Sequence, residues 1–204
     1  MLGKDTPIRF VLRHDQAVQS LCISSSVGGD ITCVTGGDDK VVRLWNLTGA
    51  ESGELSPKAQ LTGHDREINC LEAINIRDRA LVVSAGFEKD ALVWDLDKSS
   101  PVCRLQGHTS AINAVTHGSS DDGDFLFTCS STGSEVLFYH VEAVLTGEGR
   151  GTAITDYVKT PKTSIEGIRA SKGRLLVLEK VNADESSRGW ENWCEPSSLC
   201  LRFF

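Results

Sequence analysis

Three of the histidines in this chain stand at a regular distance before an aromatic residue. That distance is 30 or 31 residues in each case: His14 to Trp45, His64 to Trp94, and His108 to Tyr139. A histidine beside a hydroxyl or a carboxylate is a common arrangement of catalytic residues in nucleophilic and acid–base catalysis. A spacing that recurs three times, however, indicates an internal repeat. We therefore interpret these histidines as structural parts of a repeat, with an enzyme kept as an alternative.

Other residues that could do chemistry do not form a recognisable site. The sequence lacks HExxH, G-x-S-x-G and Walker A motifs. The glycines at 147, 149 and 151 predict a flexible loop, and the aspartates at 121, 122 and 124 predict a solvated turn. The seven cysteines include no CxxC pair and fall mostly in apolar runs, as expected of small buried side chains in a reducing compartment. We predict no metal site and no cofactor.

Composition limits the partners that the chain can bind. The formal net charge of −7 makes a nucleic-acid backbone an unlikely partner, because phosphate binding needs a basic surface. No stretch approaches the roughly 20 apolar residues that span a bilayer, so no membrane association is predicted. The N-terminus shows no secretory signal. We expect a cytoplasmic or nuclear protein, or one that is both.

The elements that must position the histidines are β-strands. Each histidine precedes a hairpin made of a strand, a turn of small or polar residues and an apolar strand that ends in the aromatic residue: 35–45 (TGGDDKVVRLW), 84–94 (SAGFEKDALVW) and 129–139 (CSSTGSEVLFY). The same apolar spacing, three residues and then two, follows each histidine and precedes each hairpin: Val18/Leu21/Ile23, Ile68/Leu71/Ala73 and Ile112/Val115/His117. The spacing occurs a fourth time, with no histidine before it, at Ile165/Ile168/Ala170. The chain is therefore predicted to be almost entirely β.

These patterns divide the chain into repeats and a tail. We predict three full repeats near 14–47, 64–96 and 108–141 and a partial fourth at 163–179, together forming one region over 1–180. Long insertions are expected at 47–56 and 142–151. Residues 181–204 continue no hairpin and are predicted to be an irregular tail. This tail either docks on the last repeat through Trp190, Trp193 and Phe203 or is a foreign C-terminus.

The repeat resembles the WD40-repeat family, which has Gly-His before each repeat and Trp-Asp at its end. The clearest matches are Gly63-His64 with Trp94-Asp95, and Gly107-His108. The resemblance implies an all-β fold, a WD40-type β-propeller with about three full blades and a partial fourth, each complete blade being a four-stranded antiparallel sheet.

The resemblance also implies that a histidine, a hydroxyl, a carboxylate and a tryptophan lock each blade. Carried onto this sequence, the set is His14, Thr35, Asp39 and Trp45 in the first repeat, and His64, Ser84, Glu88 and Trp94 in the second. In the third repeat the same offsets from His108 fall on Cys129, Gly133 and Tyr139. Because these residues cannot replace the missing partners, blade rigidity is expected to fall from the first repeat to the third. Replacement of His14 is therefore expected to destabilise the chain more than replacement of His108.

The number of repeats predicts an incomplete ring. Seven blades of about 42 residues need roughly 300 residues, and 204 are present. The chain could be a truncated version of a longer propeller, or a second chain could complete it; these are the favoured alternatives. The third is a small closed ring in which an outer strand at 7–13 pairs with the run at 173–178 and the tail supplies the missing strand.

The implied function is a non-catalytic scaffold for protein–protein interaction within a multi-protein complex. The alternative is a substrate receptor of a cullin-type ubiquitin ligase, a subgroup that usually has a basic residue two positions after Trp-Asp; Asp97 and Thr48 stand there instead. In the family the histidine loops and the hairpin turns open on one face, so we predict that Arg66, Phe87 and Lys89 bind the partner there. Phe87 could instead fold over a neighbouring blade.

Overall fold

The architecture is taken from a computed structural model of the whole chain. It describes residues 10–25, 29–50, 53–120, 123–130, 132, 135–150, 152–153, 163–171, 174–181 and 199–203. The predicted roles of Asp121, Asp122, Gly133, Gly151, Trp190 and Trp193 lie outside these residues.

The described chain contains seventeen strands and one short helix. The first ten strands are β1 (Phe10–Leu12), β2 (Val18–Ser25), β3 (Ile31–Gly37), β4 (Val41–Asn46), β5 (Gly53–Leu55), β6 (Ala59–Thr62), β7 (Ile68–Ile76), β8 (Arg79–Gly86), β9 (Ala91–Asp95) and β10 (Ser100–Leu105). The remaining elements are β11 (Ile112–Ser120), β12 (Gly123–Ser130), β13 (Val136–His140), α1 (Val141–Leu145), β14 (Thr152–Ala153), β15 (Thr163–Ser171), β16 (Arg174–Val181) and β17 (Leu199–Phe203).

The strands form four consecutive antiparallel sheets, which we call blades 1 to 4. Their strand orders are β2-β3-β4-β6, β7-β8-β9-β10, β11-β12-β13-β14 and β15-β16-β17. The innermost strands of neighbouring blades contact one another, β2 with β7, β7 with β11, and β11 with β15. The all-β prediction is confirmed, and the described sheets form a partial propeller rather than a closed barrel.

Apolar side chains on both faces of the sheets explain why the blades stack. Val34 and Leu44 of blade 1 pack with Ile68, Leu71 and the Trp94 ring of blade 2 in one buried cluster. A second cluster joins blade 2 to blade 3, and a third joins blade 3 to blade 4. A strand that is apolar on both faces must be covered on both sides, so each sheet needs a neighbour.

The pairing of the strand before His14 differs from the pairing that the small closed ring would require. Within the described residues, β1 pairs in parallel with β5 of the predicted 47–56 insertion, and the pairing runs from Phe10 opposite Gly53 to Leu12 opposite Leu55. An ion pair of 2.6 Å between Arg13 and Glu54 supports this contact. In the described residues β1 therefore pairs with β5, from the insertion between β4 and β6, and the described partners of β16 are β15 and β17.

Two further elements depart from the sequence-based prediction. Residues Leu199–Phe203 form β17, which pairs antiparallel with β16, so this part of the predicted irregular tail is a strand. The predicted insertion after β13 begins with the helix α1, which buries Val141 and Val144. Neither segment has a repeat elsewhere in the chain from which it could have been predicted. Within the described residues, no helix combines the length and apolarity needed to cross a membrane.

Close backbone contacts between hairpin and loop give the first testable prediction. A Cβ on Gly86 would lie 2.0 Å from the Glu67 carbonyl oxygen, whereas a Cβ on Gly167 would meet nothing within 4 Å. We expect Gly86→Ala to lower the unfolding free energy by about 2 kcal/mol or more, as strain of this kind does.

The matched control is Gly167→Ala, which should change stability by less than about 1 kcal/mol. Urea denaturation of both variants measures the difference. Equal midpoints for the two variants would show that the hairpin does not approach the loop this closely.

Candidate functional site

Each of the first three blades contains a buried hydrogen-bonded set built around its histidine, which we call a relay. The side chains of His14, His64 and His108 are all fully buried. Each histidine lies in the loop that precedes the innermost strand, and its partners lie on the second and third strands of the same blade or in the turn between them. The relay therefore connects the loop to the hairpin.

The first relay has the four residues expected from the sequence. His14 Nε2 lies 2.6 Å from Thr35 Oγ1, and His14 Nδ1 lies 3.0 Å from Asp39 Oδ2. The Trp45 indole N–H donates to the same Thr35 oxygen at 2.7 Å. The hydroxyl, the imidazole and the indole thus satisfy one another in a region that excludes water.

Arg43 is a fifth member of the first relay that the sequence analysis missed. Its side chain is only 6% exposed, and it donates to Asp39 and to Asp15 Oδ2, the latter at 2.9 Å. Arg43 pairs across the sheet with Thr35, which places it on the face that carries the relay. An arginine in the middle of the apolar run VVRLW was the available signal, since a charge there requires a buried partner.

The second relay keeps its geometry with glutamate in place of aspartate. His64 Nε2 lies 2.6 Å from Ser84 Oγ, which accepts the Trp94 indole N–H at 2.7 Å. His64 Nδ1 contacts Glu88 Oε1, and Arg104 Nη1 lies 3.4 Å from the other oxygen of that carboxylate. The longer side chain reaches the same imidazole, so the substitution preserves the relay.

The third relay is where the sequence analysis was wrong. His108 Nε2 lies 2.6 Å from Thr128 Oγ1, not from Cys129, and its Nδ1 lies 3.4 Å from Glu135 Oε2. Thr128 also hydrogen-bonds the hydroxyl of Tyr139, which is 1% exposed. His108 has thus kept a hydroxyl, a carboxylate and an aromatic partner, and the predicted loss of rigidity from the first repeat to the third has no basis in these contacts.

The error came from counting residues across a repeat of variable length. The hydroxyl follows the histidine by 21 residues in the first repeat but by 20 in the second and third. Adjacent residues of a strand point to opposite faces, so a slip of one residue exchanges them. Cys129 accordingly packs with Ile168 and Leu175 of blade 4.

The electrostatics keep these imidazoles neutral. Burial lowers the pKa of His64 and of His108, although the carboxylates of Glu88 and Glu135 partly oppose that shift. Burial also lowers the pKa of His14, which Asp39 opposes and the charge of Arg43 reinforces. A neutral, fully buried imidazole that is bonded on both nitrogens cannot reach a substrate, which favours a structural role.

The cysteine thiols of the described residues are equally poor nucleophiles. Cys22, Cys33, Cys70 and Cys103 are free thiols. Burial raises the pKa of Cys22 to about 12 and that of Cys33 and Cys103 to about 11, which leaves almost no thiolate at neutral pH. No group of three or more histidine, cysteine or carboxylate side chains in the described part of the chain could hold a metal ion.

The residues proposed for partner binding lie together at one end of blade 2. The Phe87 backbone N–H donates to the Glu67 carbonyl at 3.0 Å, so the hairpin turn touches the loop that contains Arg66. The Phe87 side chain is 59% exposed, which excludes the alternative that it folds over a neighbouring blade. Arg66 and Lys89 are also exposed. The structure therefore presents an aromatic ring near two cationic side chains.

The third relay gives the second prediction. Thr128→Val removes the hydroxyl while preserving the shape of the side chain, and it leaves His108 Nε2 without its hydroxyl partner. The Tyr139 hydroxyl still donates to the Gln106 carbonyl at 3.4 Å. We expect a loss of about 1–3 kcal/mol in unfolding free energy, the usual penalty for unpaired buried polar groups. Denaturant unfolding monitored by tryptophan fluorescence measures it.

The control is Thr62→Val, which makes the same change at an exposed strand position. It should alter stability by less than about 0.5 kcal/mol. If Thr128→Val were as mild as this control, the hydroxyl would not be part of the third relay.

Comparison with known proteins identifies one repeat family in three stretches of the chain. The WD40 family profile, described as "WD domain, G-beta repeat", matches residues 6–46, 55–95 and 99–134, more than half of the chain. Protein HIR1 of Yarrowia lipolytica is 23% identical over 244 residues, covering 99% of this chain and 23% of its own length.

Two other relatives match more locally. The U5 small nuclear ribonucleoprotein 40 kDa protein of Dictyostelium discoideum is 30% identical over 144 residues, covering 66% of this chain and 38% of the relative. A probable cytosolic iron-sulfur protein assembly protein, the CIAO1 homolog of Caenorhabditis elegans, is 30% identical over 97 residues, covering 46% and 28%. The chain therefore spans less than two fifths of the length of each of these relatives. Together with the stacked four-stranded sheets and the histidine relays, these matches show that the chain belongs to the WD40-repeat family.

Proposed function

We propose that this chain is a non-catalytic scaffold that holds a protein partner within a multi-protein complex, through the face that carries Arg66, Phe87 and Lys89. The observation behind this proposal is the exposure of Phe87 on a firmly held turn. Membership of the WD40 family supports protein interaction as the general role. The choice of face and the type of complex are our proposal.

The turn that carries Phe87 is held in place before any partner arrives. Its backbone is hydrogen-bonded to Glu67, and the absence of a side chain at Gly86 permits that close approach. Glu88, the next residue after Phe87, contacts His64 and so joins the turn to the second relay. A ring that is already oriented loses little conformational entropy on binding, and preorganisation of this kind favours affinity.

The composition of this face indicates the chemistry of the partner. Aromatic residues and arginine are enriched at the centres of protein interfaces, and an exposed phenylalanine that becomes buried contributes about 1.5–3 kcal/mol. Arg66 and Lys89 would complement acidic groups around an apolar pocket. We therefore propose a partner that offers a hydrophobic pocket with an acidic rim.

A catalytic function has less support than binding. The relay histidines are buried and neutral, and the described thiols with raised pKa values are protonated at neutral pH. The three relay histidines are thus committed to holding the blades together.

The ubiquitin-ligase alternative lacks the feature that would favour it. Asp97 and Thr48 occupy the positions where that subgroup usually has a basic residue. The carboxylate of Asp95 instead accepts a hydrogen bond of 2.9 Å from Arg79 on the neighbouring strand. We therefore place the chain among assembly scaffolds.

The proposed location is the cytoplasm, the nucleus or both. Among the relatives, one is named for cytosolic iron–sulfur protein assembly and one for a small nuclear ribonucleoprotein. The acidic balance of the chain, with a formal net charge of −7, supports a protein rather than a nucleic-acid backbone as the direct partner.

The third prediction tests the binding face. Phe87→Ala should reduce recovery of the principal partner about tenfold or more, as loss of a central aromatic contact does. The melting temperature should stay within about 2 °C of the parent value, since the side chain is exposed in the free protein. Affinity purification with quantitative mass spectrometry measures the recovery.

The control is Ile31→Ala, which truncates another exposed apolar residue, 43% exposed, at the start of β3. It should leave recovery of the partner unchanged. If Phe87→Ala behaved like this control, or if both variants lost the partner equally, the proposed face would be wrong.

A further inference from the structure

We infer that Arg104 is a positioning residue of the proposed binding face: it holds the turn that carries Phe87 and balances the excess negative charge of that turn. This inference rests on the proposed function and deepens it. Arg104 lies on β10, the outer strand of blade 2, and is not one of the three residues proposed to bind the partner. Its role is to prepare the face that those residues form.

The Arg104 guanidinium joins three parts of blade 2. Its Nη1 atom lies 3.4 Å from Glu88 Oε2 and 3.4 Å from Asp90 Oδ2, the two carboxylates of the turn. Its Nη2 atom donates to the Gly63 carbonyl at 3.3 Å, in the loop that contains the relay histidine. One side chain from the outer strand therefore bridges the turn and the histidine loop.

The other two relays hold their carboxylate by different means. In blade 1, Arg43 on the third strand β4 donates to Asp39. In blade 3, the backbone N–H and the hydroxyl of Thr109 donate to Glu135 at 3.0 and 2.7 Å. Within the described residues of these blades, an outer strand supplies such a contact in blade 2 alone.

The arginine of blade 2 stands one strand further out than its counterpart in blade 1. Arg43 follows the relay hydroxyl of Thr35 by eight residues, and the same offset from Ser84 falls on Leu92. Arg104 lies directly opposite Leu92 in the pairing of β9 with β10. Since Leu92 packs in the apolar cluster between blades 1 and 2, the hairpin has no cation at this position and the neighbouring strand supplies it.

Arg104 also sets the charge around Phe87. Lys89 stands between Glu88 and Asp90, so the turn carries two negative charges and one positive charge, a net −1 that Arg104 brings to zero. The adjoining loop 65–67 (Asp-Arg-Glu) adds a further −1. Without Arg104, the carboxylates of the turn would compete with an acidic partner for Lys89 and would repel that partner.

The geometry indicates a positioning role rather than a large contribution to stability. The Arg104 side chain is 37% exposed and its ion pairs of 3.4 Å are long, so water and salt weaken them. Glu88 is only 10% exposed and has a separate contact with His64. That contact remains when Arg104 is replaced, so we expect blade 2 to stay folded.

Hydrogen–deuterium exchange of the full chain tests the positioning role without a partner. In Arg104→Gln the amide of Phe87, which donates to the Glu67 carbonyl, should exchange at least about fivefold faster than in the parent chain, because the turn opens locally more often. Amides of β8 and β9 should keep their protection. The melting temperature should fall by less than about 4 °C, as expected for an exposed ion pair.

The matched control is Arg77→Gln, which changes the net charge equally. Arg77 lies in the turn at the other end of β8 and makes an ion pair with Glu142. Its replacement should leave the exchange of the Phe87 amide unchanged.

Partner binding tests the role of the charge. The probe is the protein that the parent chain recovers and Phe87→Ala loses, purified and titrated at about 50 and about 300 mM KCl. Arg104→Gln should weaken binding about fivefold or more at the lower salt concentration, and the difference should shrink at the higher one, where charges are screened. Arg104→Lys retains the charge and should restore most of the affinity, whereas Arg77→Gln should bind like the parent chain.

Several results would overturn the inference. These are an unchanged Phe87 amide in Arg104→Gln, equally faster exchange throughout blade 2, equal losses of affinity in Arg104→Gln and Arg77→Gln, or a loss that persists at high salt. Failure of the proposed function is a separate result, in which Phe87→Ala loses no partner. Faster exchange of the Phe87 amide in Arg104→Gln would still show that Arg104 positions the turn.

Discussion

A chain of hydrogen bonds runs through each of the first three blades, from a carboxylate through a buried imidazole to a hydroxyl and an aromatic side chain. It joins the loop before the innermost strand to the hairpin formed by the second and third strands. Without it, each of these blades would bury unpaired donors and acceptors beside its tryptophan or tyrosine, which is costly in a water-free interior. The relay thus pairs the buried polar groups of the histidine loop where that loop packs against the apolar sheets.

The relay also determines what the molecule presents to solvent. Because it fixes the histidine loop to the hairpin, the loop residue Arg66 and the turn residue Phe87 occupy defined positions at the same end of blade 2. The same bonds hold the three relay histidines away from solvent.

The three relays show which parts of this arrangement tolerate change. Glutamate replaces aspartate at positions 88 and 135, and tyrosine replaces tryptophan at position 139, yet every imidazole keeps a hydroxyl at 2.6 Å. The carboxylate can move because a longer side chain still reaches the Nδ1 atom. The hydroxyl has less freedom, since it must meet both the imidazole and the aromatic residue.

Much of this was predictable from sequence, because histidine-to-aromatic spacing and apolar spacing report the repeat directly. They indicated the repeats that form the four sheets, and the resemblance to the WD40-repeat family implied four members of each of the first two relays but not Arg43. They failed at Thr128, where a difference of one residue in length moved the expected hydroxyl onto Cys129 and the opposite face. They also could not predict β5 or β17, which have no repeated counterpart in the sequence and form only because another strand is available to pair with them.

The protonation of His64 and His108 tests the relays most directly. Side-chain ¹⁵N NMR spectra recorded from pH 8 to pH 5 report both the charge and the position of the proton on each ring. Because the carboxylates of Glu88 and Glu135 can only accept, we predict neutral rings protonated at Nδ1. Because burial lowers both pKa values, the rings should remain neutral as the pH falls through 6.5, the ordinary pKa of histidine. Rings that titrate near 6.5, or that carry their proton on Nε2, would contradict the account.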